Sequence, residues 1–126
     1  MRIGDDDNFL LIEARSLEGD YAALRVEAVA SASGRRFSVL HDSLMMDVDE
    51  ATVQRFSEFA SLKTEQFEIA LTENGWLRFQ RDLRGAITVR YRIATYKMPA
   101  ALEGEVFVHG EFANKICREF GVFLQK

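Results

Sequence analysis

The sequence predicts an α+β fold, mainly antiparallel sheet, with elements in the order βββ-α-ββββ-α and the helices packed on the sheet. Three observations carry this. Apolar residues alternate at period two through Gln66–Ile93, where Phe67, Ile69, Leu71, Leu77, Phe79, Ile87, Val89, Tyr91 and Ile93 all fall on odd positions. Single glycines punctuate the alternating runs at hairpin spacing. Two segments, around Val53–Ala60 and Phe112–Phe123, switch to helical spacing.

The first strand is predicted over Phe9–Ser16 and the second over Tyr21–Ser31. A three-residue loop Leu17-Glu18-Gly19 would pair Ala14 with Ala22, Ile12 with Leu24 and Leu10 with Val26. This leaves Glu13, Arg15, Arg25 and Glu27 on a mixed polar face. Ser33-Gly34 reads as a two-residue turn that pairs Ala30 with Phe37, Ala28 with Val39 and Val26 with His41. His41 then faces inward at the end of the third strand. Residues 1–8, with Asp5-Asp6-Asp7, read as a flexible, solvated terminus, because adjacent carboxylates lack the alternate spacing of a calcium loop.

Asp49 is the expected N-cap of the first helix. The acidic run Asp47-Val48-Asp49-Glu50 suits the positive end of a helix dipole, and Val53, Phe56, Phe59 and Ala60 form its buried stripe. In the meander that follows, opposed residues must share a face. A loop Glu73-Asn74-Gly75 pairs Leu71 with Leu77 and Ile69 with Phe79. A loop Leu83-Arg84-Gly85 pairs Arg81 with Ile87 and Phe79 with Val89. Glycine is third in both, where such loops need a left-handed residue. Ala94–Ala101, with Lys97 and Pro99, reads as a strand end running into an irregular loop. Leu102–His109 is the last strand, an edge strand or one buried on both sides. Glu111–Leu124 is the closing helix, with Phe112, Ile116, Phe120 and Phe123 on its buried stripe.

The same register brings Trp76, Arg78, Arg90 and Arg92 together on the outer face, with Arg78 opposite Arg90 and Trp76 opposite Arg92. Two readings fit. One is a solvated face balanced by carboxylates such as Glu68. The other is a site for an anionic group or an acidic partner, with Trp76 and Arg92 as a cation–π pair. An alternative partner-binding patch is acidic: Asp42, Asp47, Asp49 and Glu50.

Composition narrows the function classes. A chain of 126 residues that is 48% hydrophobic, with ten phenylalanines, fits one domain over 1–126 with a sizeable core. Its net charge of −4 argues against a general nucleic-acid binder. No membrane span or signal peptide is visible, so a cytoplasmic protein is expected. Cys117 stands alone on an apolar stripe and reads as a buried thiol. His41 and His109 are too few for a zinc site, and no metal, cofactor or catalytic residue is expected. His41 and Asp42 could serve an enzyme or a small-ligand site only if a pocket presents them, and no matching nucleophile accompanies them. An oligomeric structural subunit, joined through a sheet edge or the last helix, is the third class.

The segments Leu24–Ala30, Phe37–Leu44, Trp76–Ile93 with Gly85-Ala86-Ile87-Thr88-Val89, and Gly104–Leu124, taken in this order, resemble the WapI-type immunity proteins and related small bacterial domains. The chain departs from them in a shorter, proline-containing connection around Ala94–Ala101. The resemblance implies a non-enzymatic protein that binds and neutralises a cognate polymorphic or contact-dependent toxin domain. It supplies no catalytic residues.

Overall fold

The computed structural model describes residues 1–95 and 100–124. Its elements are β1 (Arg2–Gly4), β2 (Phe9–Glu18), β3 (Tyr21–Ala32), β4 (Arg35–Asp47), α1 (Glu50–Ala60), β5 (Gln66–Ala70), β6 (Trp76–Arg81), β7 (Ile87–Thr95), β8 (Ala100–Val108) and α2 (Gly110–Leu124). The expected mixture of antiparallel sheet and helix holds. The strands form two four-stranded sheets, ordered β1-β2-β3-β4 and β5-β6-β7-β8, so the order reads ββββα twice. The reading of Lys97 and Pro99 lies outside the described residues.

The extra strand corrects the expectation of a flexible terminus. Arg2, Ile3 and Gly4 pair with Leu11, Leu10 and Phe9, and Ile3 is fully buried. Asp5 turns the chain back, its carboxylate accepting the N–H groups of Asp7 and Asn8 at 2.8 Å each. These backbone bonds, Asn8 first, hold the Asp5 carboxyl below the ordinary carboxylate range. A three-residue strand is too short to show a period, which is why the sequence hid it.

Two hairpins follow the expected register. Ser33 and Gly34 both adopt positive φ, as a type I′ turn requires, and Ala30, Ala28 and Val26 face Phe37, Val39 and His41. Gly85 has φ 83°, and Arg81 and Phe79 face Ile87 and Val89. Two others are shifted by two residues. Between β2 and β3 the turn is Gly19-Asp20, flanked by the pair Glu18–Tyr21. A bulge between Ala14 and Ser16 keeps the apolar faces together, so Leu10, Ile12 and Ala14 face Ala28, Val26 and Leu24. Between β5 and β6 the loop is longer than expected, and Phe67 and Ile69 face Phe79 and Leu77. Leu71 does not pair with Leu77; it bridges to Met46 of the other sheet.

That bridge joins the two sheets at one side, reinforced by Thr72 N–H to Met45 O at 3.2 Å and Met45 N–H to Thr72 Oγ1 at 3.3 Å. At the other side β1 lies beside β8. Their inner faces share one apolar core with both helices, containing Leu10, Ile12, Val26, Leu44 and Met46 from the first sheet and Phe79, Val89, Tyr91 and Val106 from the second.

Asp49 caps α1, its Oδ1 accepting Thr52 N–H at 2.8 Å. From α1, Phe56 and Phe59 meet Phe67 and Phe79 at 5.0–6.4 Å between ring centroids, and Phe120 of α2 lies 5.1 Å from Phe56 and 4.9 Å from Phe79. The helices thus pack through these rings on the inner face of the second sheet. The buried stripe of α2 runs through Ala113, Ile116, Cys117, Phe120 and Leu124. Phe112, expected on it, is 52% exposed, because the stripe is centred one position round the helix, on Ala113 and Cys117, and leaves Phe112 at its margin beside β8.

Candidate functional site

Since α1 and α2 pack through their phenylalanines on the inner face of β5–β8, the outer face carries the polar residues of alternate register. Its rows follow from strand pairing. Glu68, Arg78, Arg90 and Glu105 lie side by side, as do Ala70, Trp76, Arg92 and Glu103. All four residues read from the sequence as a partner site therefore share this face. Arg78 and Arg90 do face each other, and each also meets a carboxylate on its other side. Arg78 Nε lies 3.2 Å from Glu68, Arg90 Nε 3.3 Å from Glu105, and Arg92 Nε 3.8 Å from Glu103. Three arginines against three glutamates leave the face electrically balanced. These are exposed pairs of small energetic value, so they align side chains more than they stabilise the fold.

The cation–π contact differs from the expected one. Arg78, not Arg92, stacks on Trp76, its guanidinium carbon 3.7 Å from the ring. Trp76 and Arg78 are two apart on one strand and so share a face as neighbours along it. Arg92 instead turns to Glu103.

The acidic alternative separates into different structural tasks. Asp42 lies between Arg15 at 3.4 Å and Arg25 at 3.3 Å, the latter an ion pair without hydrogen-bond geometry. Asp47 accepts the Asp49 N–H at 3.0 Å. Asp49 is the helix cap, its carboxyl held below the ordinary range first by the Thr52 backbone N–H and then by the Thr52 side chain. Glu50 stands in the first turn of α1 and lines a shallow surface with Asp20 and Asp49.

His41 is mostly buried, with 13% of its side chain exposed. Its Nε2 lies 3.0 Å from Glu73 Oε2, and its Nδ1 accepts the Ser43 N–H at 3.0 Å. The Ser43 bond requires a lone pair on Nδ1, so Nε2 carries the proton and donates to Glu73. Both ring nitrogens are engaged within the protein. The pair ties the β5–β6 turn to β4 and leaves no free nitrogen for a substrate.

One feature had no sequence signal. A groove of about 580 Å³ runs between β1, β8 and the start of α2, lined by Arg2, Phe107, His109, Phe112 and Lys115 among others. Phe107 stands edge-on to His109 at 4.9 Å. Only the short β1 brings Arg2 to it. Among the described residues, no group of three or more His, Cys, Asp or Glu is placed to hold a metal ion, and no helix is long and apolar enough to cross a membrane. Compared with known proteins, the chain matches no family model, no curated protein and no solved structure.

Proposed function

We propose that this chain is a non-enzymatic binding protein that captures a protein partner on the outer face of β5–β8. The partner class is the one its sequence resemblance implies, a cognate bacterial toxin domain neutralised in the cytoplasm. The observation that supports this reading is the pairing of Trp76 with Arg78 on a sheet face whose opposite side carries the helices. Tryptophan and arginine are the residue types that most often anchor interfaces. Here the three arginines are already aligned by Glu68, Glu103 and Glu105. Such alignment lowers the entropy lost on binding. The balanced charge suits a partner presenting both signs, rather than a purely acidic one.

The test is to look for a toxin domain encoded in the neighbouring gene and to measure its capture. Trp76→Ala should weaken capture at least ~30-fold, the loss expected at an interface anchor. Arg90→Glu should weaken it through charge reversal while the thermal midpoint stays put. Unchanged capture by both folded variants removes this face from the interface.

A further inference from the structure

β4 ends the first sheet, and its edge is unequally covered. From Met45 onward it is occupied by Thr72 and Leu71. From Arg35 to Asp42 it pairs with no strand other than β3 among the described residues. This is an edge of unusual kind. Strand β4 has 13 residues and no proline, and Phe37 and Leu40 are 47% and 46% exposed along its free half. Edges of this length are normally blocked by inward charges or proline.

We propose that this edge pairs with the same edge of a second copy, antiparallel, with Val39 on the two-fold axis. Parity restricts the choice. A two-fold axis normal to the sheet keeps inner faces on one side, so opposed residues must share a face. Only Ser38, Val39 and Leu40 are central enough to serve as the axis. With Leu40 there, Arg36 falls opposite Leu44, close to the stretch that Thr72 covers. With Ser38 there, Asp42 falls opposite the Gly34 turn. With Val39 on the axis, Arg36 faces Asp42 twice, Phe37 faces His41 twice, and the two Leu40 side chains become diagonal neighbours.

Charge complementarity supports that register. On the outer face of the first sheet Asp42 lies beside Arg15 and Arg25, and Glu13 beside Arg25. Arg36 shares that face, since it pairs with Ser31 as Leu40 pairs with Glu27. In this register each copy's Arg36 meets the other copy's Asp42, a cross-strand pair of opposite sign. On the inner face, Phe37 and Val39 of both copies form one apolar patch.

The occupant and the register are tested together. Sedimentation velocity from micromolar to submillimolar protein should show a monomer–dimer equilibrium. Arg36→Asp places like charges opposite each other at two symmetric positions and should weaken dimerisation about tenfold or more, with the thermal midpoint unchanged when read at concentrations where the parent is monomeric, because Arg36 is exposed. Val39→Cys should form an interchain disulfide under mild oxidation, since opposed residues bring Cα atoms within bonding range. Ser38→Cys and Leu40→Cys should cross-link far less, because their symmetry mates lie on the diagonal. A monomer at all concentrations overturns the proposal, as does a dimer cross-linked equally well at all three positions. So does a chain that stays monomeric while taking up a strand of another protein on this edge.

Discussion

Gly104 lies directly under the ring of Tyr91: a Cβ at this position would stand 2.5 Å from the phenolic oxygen and 2.8 Å from the carbon bearing it. The two residues face each other across β7 and β8, and Tyr91 is only 1% exposed. Glycine is needed here for space, as φ at Gly104 is not positive.

Gly104→Ala should therefore destabilise the protein by about 1–3 kcal/mol through overpacking. In a Tyr91→Phe background the nearest atom is gone, and the loss should shrink. Urea denaturation of the four proteins measures the coupling. Strict additivity would mean that the Tyr91 hydroxyl is not what the new methyl meets.

Glu73 sits at φ 63° next to Asn74 at φ 62°, in a turn closed by Gly75 N–H to Thr72 O at 3.2 Å. A glutamate in the left-handed region costs about 1 kcal/mol. The bond to His41 offsets that strain. Glu73→Gly should thus stabilise a His41→Ala protein by about 1 kcal/mol and the parent protein by clearly less. An equal gain in both backgrounds would sever the link between the pair and the turn.

Alkaline pH should weaken the fold in two stages. Burial pushes the Cys117 thiol up from 9.0, with Arg81 opposing more weakly, and burial pushes Tyr91 up from 10.0. Both groups are held neutral in the folded state. Their contribution is complete below the unfolded value and is lost as pH rises from there through the raised folded value. Each adds a slope of roughly 1.4 kcal/mol per pH unit at most. Cys117→Ala should move the onset of the loss from about pH 9 toward pH 10, as read from thermal midpoints across this range. No change in onset would show that the thiol is not the first group to titrate.

Arg81 joins three elements from the end of β6. Its Nη1 donates to Phe59 O at 2.8 Å, its guanidinium carbon lies 4.3 Å from the Phe59 ring, and its Nη2 is 3.7 Å from Cys117 Sγ. Arg81→Met should cost about 1–3 kcal/mol, because a carbonyl at the end of α1 loses a charged donor. Lysine cannot reproduce the planar fork, so Arg81→Lys should recover less than half. Denaturant midpoints of the two variants decide this.

What the sequence revealed depended on what each glycine was for. Gly34 and Gly85 are there for positive φ, and the hairpins built on them have the expected registers. Gly75 is different. A Cβ on it would meet Arg92 O at 2.8 Å, and the left-handed positions belong to Glu73 and Asn74. Taking Gly75 for a conformational residue shifted the β5–β6 register by two. Parity survived the shift, because alternation fixes faces but not offsets. For that reason Trp76, Arg78, Arg90 and Arg92 were rightly placed together. The Glu68–Arg78 pair was missed, as it depends on the offset. Arg81 was placed opposite Ile87, but its contacts gave no signal, because its partners lie on both helices.

The repeated ββββα order also bears on how the molecule could be cut. The connection between α1 and β5, residues 61–65, is exposed. Apart from the Met46–Leu71 bridge, every ladder lies wholly on one side of it, whereas the apolar core draws on both sides. A chain broken there would separate into two pieces with intact hairpins and incompletely covered inner faces. The first piece loses the second sheet that shares its core, and the second loses Phe56 and Phe59 of α1 from beside Phe79, so each supplies surface the other lacks. The connection is thus a natural site for fragment complementation, with recovery of the fold reporting that the two halves have met.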